Sequence, residues 1–247
     1  MVLVVGVLAA TALLSTQLTA YLAVRARGSR SAVIMAVLMG ATAWWAAWNA
    51  AEYMAPTLGA MLLFANLEYL AIAAIPVTWF TLGYLLGQEE RGGTARRPPR
   101  IIWIIPAVTA ILVWTDPYLG LVRKGLHLEV QGGFLVIAKE FGPWFWVHSA
   151  YSYLFIIAGT VLMFRALHAS RGTRRAQKVI LVAGTLLPVA ANMVYLSGIF
   201  PLGSVDPTPL AFSLTGLLAV LNLKRFRFLA LVTKAQAAAI ELSLIHI

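Results

Sequence analysis

Acidic and amide side chains interrupt two long apolar segments in the first part of the chain, and these are the residues best suited to chemistry. In the first segment Trp45, Trp48, Asn49 and Glu52 recur at spacings of three and four residues, so they share one face of a helix. Glu68 lies in the next apolar segment. Because a carboxylate is costly in hydrocarbon, these groups are expected to face protein or water, where they can bind a ligand or carry a proton.

The polar groups fall at similar depths when each apolar segment is treated as a membrane-spanning helix. With a rise of about 1.5 Å per residue, Asn49 lies about 8 Å and Glu52 about 12 Å outward from the membrane centre. On the same scale Glu68 and Asn192 each lie about 6 Å outward. A two-sided transport path would place polar groups on both sides of the midplane, whereas a pocket open to the outside needs them on one. The depths therefore favour an outward-opening pocket.

We predict that these groups line one ligand-binding pocket. A carboxylate at this depth must be paired, hydrated or protonated, which favours a ligand with positive charge or several hydrogen-bond donors. Aromatic faces can hold such a cation. The candidate ligand-binding residues are Trp48, Asn49, Glu52, Glu68, Tyr69, His148, Tyr151, Asn192 and Tyr195.

Several of these residues also have ordinary structural interpretations. Glu52 could be an interfacial residue near a helix end, although the helix dipole disfavours an anion at a C-terminus. His148 could extend to the membrane interface rather than bind a metal. Asn192 could bond a neighbouring helix, and Trp48 could pack in the bundle or belong to an outer aromatic belt.

The composition is that of a membrane protein. Of 247 residues, 61% are hydrophobic and 11% are charged, with a mean hydropathy of +0.84, whereas soluble domains carry about 25% charged residues. The net charge of +10 lies in short loops, which indicates membrane topology and the lipid bilayer as partner rather than nucleic acid. The absence of cysteine excludes disulfides, thiol catalysis and thiolate metal sites. No nucleotide-binding or hydrolase motif is present, so no catalytic residue, cofactor or metal site is predicted.

The apolar segments predict an all-α, seven-transmembrane helix bundle with a small β-hairpin between the fourth and fifth helices. Pro76 and Pro188 fall inside the third and sixth segments and are expected to kink them. The excursion 116–142 alternates apolar and polar residues on either side of Gly132-Gly133, which predicts an extracytoplasmic hairpin covering the outer mouth of the bundle. The seventh segment has no lysine for a retinal Schiff base, so rhodopsins are excluded. The predicted spans are 2–24, 32–54, 58–86, 101–115, 143–166, 177–199 and 207–223.

Lysine and arginine set the expected orientation. The loops on one side of the predicted bundle are rich in arginine, whereas those on the other hold only Arg123, Lys124 and Lys139. The positive-inside rule then puts the N-terminus outside and the C-terminus in the cytoplasm of a multi-pass protein of the inner (plasma) membrane. Residues 1–223 are predicted to form the transmembrane sensor domain, and 224–247 the start of a cytoplasmic coupling helix.

Short motifs follow one another in a characteristic order from about Trp44 to Ala238. They are Leu67-Glu68-Tyr69, Pro76, Trp79-Phe80, Tyr84, Ile105-Pro106-Ala107, Trp114-Thr115, Gly142-Pro143-Trp144-Phe145-Trp146, Tyr151-Ser152-Tyr153, Gln177, Pro188, Asn192, Tyr195-Leu196, Asp206-Pro207-Thr208-Pro209-Leu210-Ala211-Phe212 and Lys224-Arg225-Phe226-Arg227. In order and spacing the chain resembles the N-terminal seven-transmembrane region found ahead of bacterial and archaeal sensor histidine kinases.

This resemblance implies a sensory input domain of a two-component-type receptor, with no enzyme activity in this segment. In such proteins cytoplasmic PAS and histidine kinase domains follow, or sometimes a diguanylate cyclase, and a homodimer is compatible with that arrangement. An extracytoplasmic or membrane-borne ligand would shift the bundle, and the last helix would pass the change on. The chain stops at Ile247 before any output domain, and 243–247 does not continue the helical pattern, as expected of a truncated or non-native end.

Two other functions stay open at this point. A small proton-coupled transporter or permease could use Glu68, although the one-sided acids and the lack of visible inverted repeats count against it. A membrane scaffold without a ligand would use the polar groups only to specify helix packing. A kinase, PAS or cyclase segment after residue 247 in the full reading frame would decide for the sensor.

Overall fold

The computed structural model describes residues 2–25, 30–90, 97–131, 134–169, 172–196, 207–218 and 220–221. This part of the chain is mostly helical and contains one small antiparallel sheet. The α-helices are α1 Val2–Arg25, α2 Arg30–Met54, α3 Leu58–Glu90, α4 Ile104–Leu112, α5 Asp116–Leu119, α6 Pro143–Ala169, α7 Gly172–Leu196 and α8 Thr208–Leu218. Two 3-10 turns, Arg100–Trp103 and Val113–Thr115, flank α4, and the strands are β1 Arg123–Gln131 and β2 Phe134–Phe141.

Five helical segments among the described residues are long and apolar enough to cross a membrane. They are Val2–Val24, Arg30–Met54, Leu58–Gln88, Arg100–Leu119 and Pro143–Ala166. These segments coincide with the first five predicted spans, which confirms a multi-pass helical membrane protein. Helices α7, of 25 residues, and α8 occupy the positions of the last two predicted spans, whose crossing of the membrane stays a prediction.

Helix α3 lies at the centre of the packing and contacts α2, α4 and α6. The main apolar core joins α1, α2, α3, α6 and α8 through buried side chains such as Leu22, Met39, Trp79, Met163 and Phe212. A hydrogen bond of 2.6 Å between the Ser15 and Ser213 hydroxyls ties α8 to α1 within this core. The last described helix is therefore part of the bundle and not an appendage to it.

Helices α3 and α6 approach most closely at a pair of glycines. A Cβ atom at Gly83 would overlap the carbonyl oxygen of Gly159, and a Cβ at Gly159 would meet the Trp79 side chain and the Phe80 backbone. The close approach also lets the Trp79 indole donate to the Thr160 hydroxyl at 3.1 Å. Small residues at such crossings are typical of helix packing in membranes.

Both helix-interior prolines leave a backbone carbonyl without its usual donor. Pro188 lies inside α7, so the carbonyl of Gly184 cannot receive the helical hydrogen bond. The Thr215 hydroxyl of α8 donates to that carbonyl at 2.6 Å. Pro76 interrupts α3 in the same way. Both helices continue past their prolines, and the predicted kinks stay predictions.

The excursion after α5 contains two antiparallel strands, which confirms the predicted strand pairing, while the extracytoplasmic position of the hairpin stays a prediction. β1 and β2 pair antiparallel, with Arg123 opposite Phe141 at the base and a register shift between Lys124 and His127. The predicted Gly-Gly turn lies outside the described residues. Leu126 and Ile137 pack on the junction of α2 and α3, whereas Val130 is 69% exposed. The hairpin is thus anchored on the helix ends by part of its apolar face only.

Candidate functional site

A buried ion pair fixes the base of the hairpin. Gly120, at φ +59°, ends α5 in a left-handed conformation that turns the chain toward β1. Asp116 then accepts a hydrogen bond of 2.9 Å from the Val122 amide and another of 2.8 Å from the Arg123 guanidinium. Arg123 is 1% exposed and Asp116 is 3% exposed. Because a buried charge must be paired, the two side chains stabilise the same turn together.

Arg123 also connects the hairpin to α3. Its guanidinium donates to the Asn66 side-chain oxygen and, at 3.3 Å, to the Val113 carbonyl. The same group lies over the Tyr69 ring, 5.0 Å from its centroid, as a cation–π contact. The arginine therefore holds β1 against the helix that carries Glu68.

Asn49 of α2 and Glu68 of α3 form a buried polar pair. The Asn49 amide nitrogen donates to Glu68 Oε2 at 3.2 Å. The two residues are only 8% and 5% exposed. Asn49 Oδ1 and Glu68 Oε1 have no hydrogen-bond partner in the described part of the structure. Buried acceptors of this kind are uncommon, so this polar pair has capacity for an additional donor.

The polar pair lines a cavity of about 260 Å³. Its walls come from α2, α3, the hairpin, α6, α7 and α8, and most of the lining is aromatic or aliphatic. The exposed residues Lys139 and Phe141 of β2 belong to the lining at the hairpin end. Glu52 also lines the cavity, and it and Lys139 lie close enough for their charges to act on Glu68.

The opposite wall joins α6, α7 and α8 through hydrogen bonds. Tyr153 donates to the Asn192 side-chain oxygen at 2.8 Å, and the Asn192 amide donates to the Thr208 hydroxyl at 3.4 Å. One turn later in α8, Phe212 meets the Trp79 ring edge-on with centroids 5.8 Å apart. Five of the described helices thus line one cavity, and the first turns of α8 form part of its wall.

His148 joins α6 to α4. Its Nδ1 lies 3.2 Å from the Thr109 hydroxyl and its Nε2 lies 3.3 Å from the Ser152 hydroxyl. The side chain is 5% exposed and is therefore enclosed by protein. No group of acidic or histidine side chains among the described residues could hold a metal ion.

The structure brings most of the predicted site residues together and separates others. Asn49, Glu52, Glu68, Tyr69, His148 and Asn192 all line the cavity. Trp48 instead stacks on Phe64, with centroids 5.6 Å apart, and Tyr151 donates to the Ile102 carbonyl; neither lines the cavity. The side chain of Tyr195 lies outside the described part of the structure.

Sequence reasoning missed several residues of the cavity. From the sequence, Arg123 and Lys139 are loop charges that indicate only the membrane topology. The signal for Arg123 was its position seven residues after Asp116, since two opposite charges close together in a short excursion can pair. Trp79 and Tyr153 belong to the motifs that carry the family resemblance, but nothing in their spacing assigns them to a cavity.

Comparison with known proteins places the chain in a family. No curated protein matches it. A family model of a membrane-embedded sensory region, distinct from the catalytic domains of the enzymes that contain it, matches residues 7–232 and therefore nearly the whole chain. The chain belongs to the family described as the N-terminal 7TM region of histidine kinase.

Proposed function

We propose that this chain is the sensory input domain of a kinase-type receptor and that it binds a small ligand in the cavity around Asn49 and Glu68. The main support for this proposal is that the polar pair and the first turns of α8 line the same cavity. A group that enters the cavity would therefore meet the ligand-binding side chains and the last helix at the same time.

The proposed signal leaves the bundle through α8. Thr208 and Phe212 line the cavity, and the Thr215 hydroxyl bonds the α7 carbonyl that Pro188 leaves free. A ligand can shift the bundle only if it binds two arrangements of these helices with unequal affinity. The proline-containing helices α3 and α7 are the proposed bistable elements, since their backbone hydrogen-bond ladders are already interrupted.

The proposed topology has seven spans, with the N-terminus outside and the C-terminus in the cytoplasm. The distribution of arginine over the loops supports it. The hairpin and the cavity mouth would then face outward. Residues 1–223 would form the sensor domain, and 224–247, which lies outside the described residues, would begin the coupling helix to a cytoplasmic PAS, kinase or cyclase domain.

A chimeric receptor tests this proposal. The chain is fused in helical register to a reporter histidine kinase, and kinase output and membrane level are measured together. Glu68→Gln should change the output without lowering the membrane level, because it removes the Glu68 carboxyl group and nearly keeps the shape of the side chain. Glu140→Gln is the matched control, since Glu140 pairs with Lys124 at 3.3 Å on the hairpin and does not line the cavity.

A membrane scaffold without a ligand would give a different result in the same assay. A scaffold whose polar pair only specifies packing would lose membrane level with Glu68→Gln and show no separate change in output. Unchanged output from Glu68→Gln at a wild-type membrane level would contradict the proposed sensor.

A further inference from the structure

We propose that the ligand of this cavity is a small protonated amine, an organic ammonium that has at least two N–H donors and an apolar body. This inference rests on the proposed function and adds the chemical class of the ligand. It follows from the unpaired acceptors, the charges around the cavity, and the shape and chemistry of its walls.

The two unpaired acceptors indicate how many hydrogen-bond donors the ligand has. Asn49 Oδ1 and Glu68 Oε1 are both buried without a partner, and they belong to side chains that bond each other at 3.2 Å. Two acceptors on neighbouring side chains of one cavity wall can be satisfied by one group with two or more N–H bonds. A primary or secondary ammonium provides them, whereas a quaternary ammonium has none.

The charges around the cavity favour a cation. Two carboxylates, Glu52 and Glu68, line it. The Arg123 guanidinium is already neutralised by Asp116 at 2.8 Å, which leaves Lys139 at the exposed hairpin end as the other cationic side chain of the described lining. With both carboxyl groups ionised, the described lining and the Asp116 carboxylate hold one negative charge more than positive, which a monocation would balance. A charge-assisted hydrogen bond to Glu68 would also be stronger than a neutral one.

The walls define the rest of the ligand. Trp45, Trp79, Phe145 and Phe212 line the cavity, so an aromatic or aliphatic body finds apolar contacts there. The volume of about 260 Å³ lies just below the range of about 300–1,000 Å³ that is usual for ligand pockets. An amine with a single ring and a short linker therefore fits better than a lipid-sized molecule.

Isothermal titration calorimetry with three matched probes tests this inference on the purified chain in nanodiscs. The probes are 2-phenylethylamine, its N,N,N-trimethyl derivative and 2-phenylethanol. We expect the primary ammonium to bind at least about tenfold more tightly than the other two, because only it combines charge with several N–H donors. Glu68→Gln should weaken its binding by about the same factor, and Glu140→Gln should leave it unchanged.

A substitution at Lys139 should change the affinity for the amine in the opposite direction to Glu68→Gln. If a ligand ammonium and the Lys139 ammonium compete for the same carboxylates, Lys139→Gln should tighten the binding of 2-phenylethylamine. Failure of all three probes to bind would overturn the inference. A lower melting temperature of Lys139→Gln would then identify Lys139 as the internal partner of the acids. Equal binding of the quaternary or the neutral probe would also overturn the inference.

The experiments distinguish a wrong ligand class from a wrong sensor proposal. If no amine binds but Glu68→Gln still changes the output of the chimeric kinase, the ligand class is wrong and the sensor stands. If 2-phenylethylamine binds through Glu68 but no cavity variant alters the output, the ligand class stands and the sensor proposal is wrong.

Discussion

Replacing Gly83 by alanine should weaken the packing of α3 against α6, even though alanine is the better helix former. The added methyl group would overlap the carbonyl oxygen of Gly159, which belongs to the backbone and cannot move aside like a flexible side chain. The helices would have to separate locally, next to the contact between Trp79 and Thr160.

The expected change in unfolding free energy is the sum of two opposing effects. Overpacking of a tight interface costs about 1–3 kcal/mol, while a glycine-to-alanine change in a helix returns about 0.5–1 kcal/mol. Gly87 lies one turn later in α3 and has no atom within 4 Å of an added Cβ. Gly87→Ala is therefore expected to gain helix propensity without overpacking. The difference in unfolding free energy between the two variants then gives the overpacking cost, about 1–3 kcal/mol.

The assay is unfolding of the purified variants by SDS in mixed micelles, followed by tryptophan fluorescence. Gly83→Ala should unfold at a lower SDS fraction than the unmodified chain, and Gly87→Ala at an equal or higher one. Equal stability of the two alanine variants would refute the close approach of α3 and α6.

Three further predictions use other parts of the structure. Asp116→Asn should destabilise the chain by about 3–5 kcal/mol in the same unfolding assay, because it leaves the Arg123 guanidinium buried without a counter-charge; no change would refute the buried pair. Thr215→Val should cost about 1–2 kcal/mol, and much less in a Pro188→Ala background that restores the helical donor; equal costs in both backgrounds would contradict the α7–α8 bond. A Val130→Cys variant should react with a membrane-impermeant thiol reagent added to intact cells after the outer membrane, if any, is permeabilised, and labelling only from the cytoplasmic side would reverse the topology.

The helices and the hairpin could be predicted from the sequence because each depends on a local sequence pattern. Long apolar runs bounded by charged or proline-containing loops mark the helices, and the alternation around Gly132-Gly133 marks the hairpin. The pairing of Asn49 with Glu68 was also foreseeable, since buried polar groups in neighbouring helices seek each other.

The rest of the site depends on quantities that a single sequence does not contain. A depth estimate sets the height of a residue along its helix but not the direction in which that helix is rotated. Tyr151 points to the Ile102 carbonyl, whereas its neighbours in α6, Ser152 and Tyr153, line the cavity. Arg123 was missed for a related reason, because the burial of a loop charge depends on which helix the loop packs against.

The reactivity of a Thr208→Cys variant tests whether the cavity opens outward and whether α8, the last described helix, forms part of its wall. The chain has no native cysteine, and Thr208→Cys changes the side-chain volume little at a residue that is 3% exposed and lines the cavity. Leu210→Cys is the control, since Leu210 lies two residues later in α8 at 38% exposure and does not line it. We expect a cationic, membrane-impermeant methanethiosulfonate added from outside to modify Thr208→Cys faster than Leu210→Cys. The reaction of Thr208→Cys should be slower once Glu68→Gln is added. Modification of Thr208→Cys from the cytoplasmic side only, or at a rate that Glu68→Gln does not change, would contradict it.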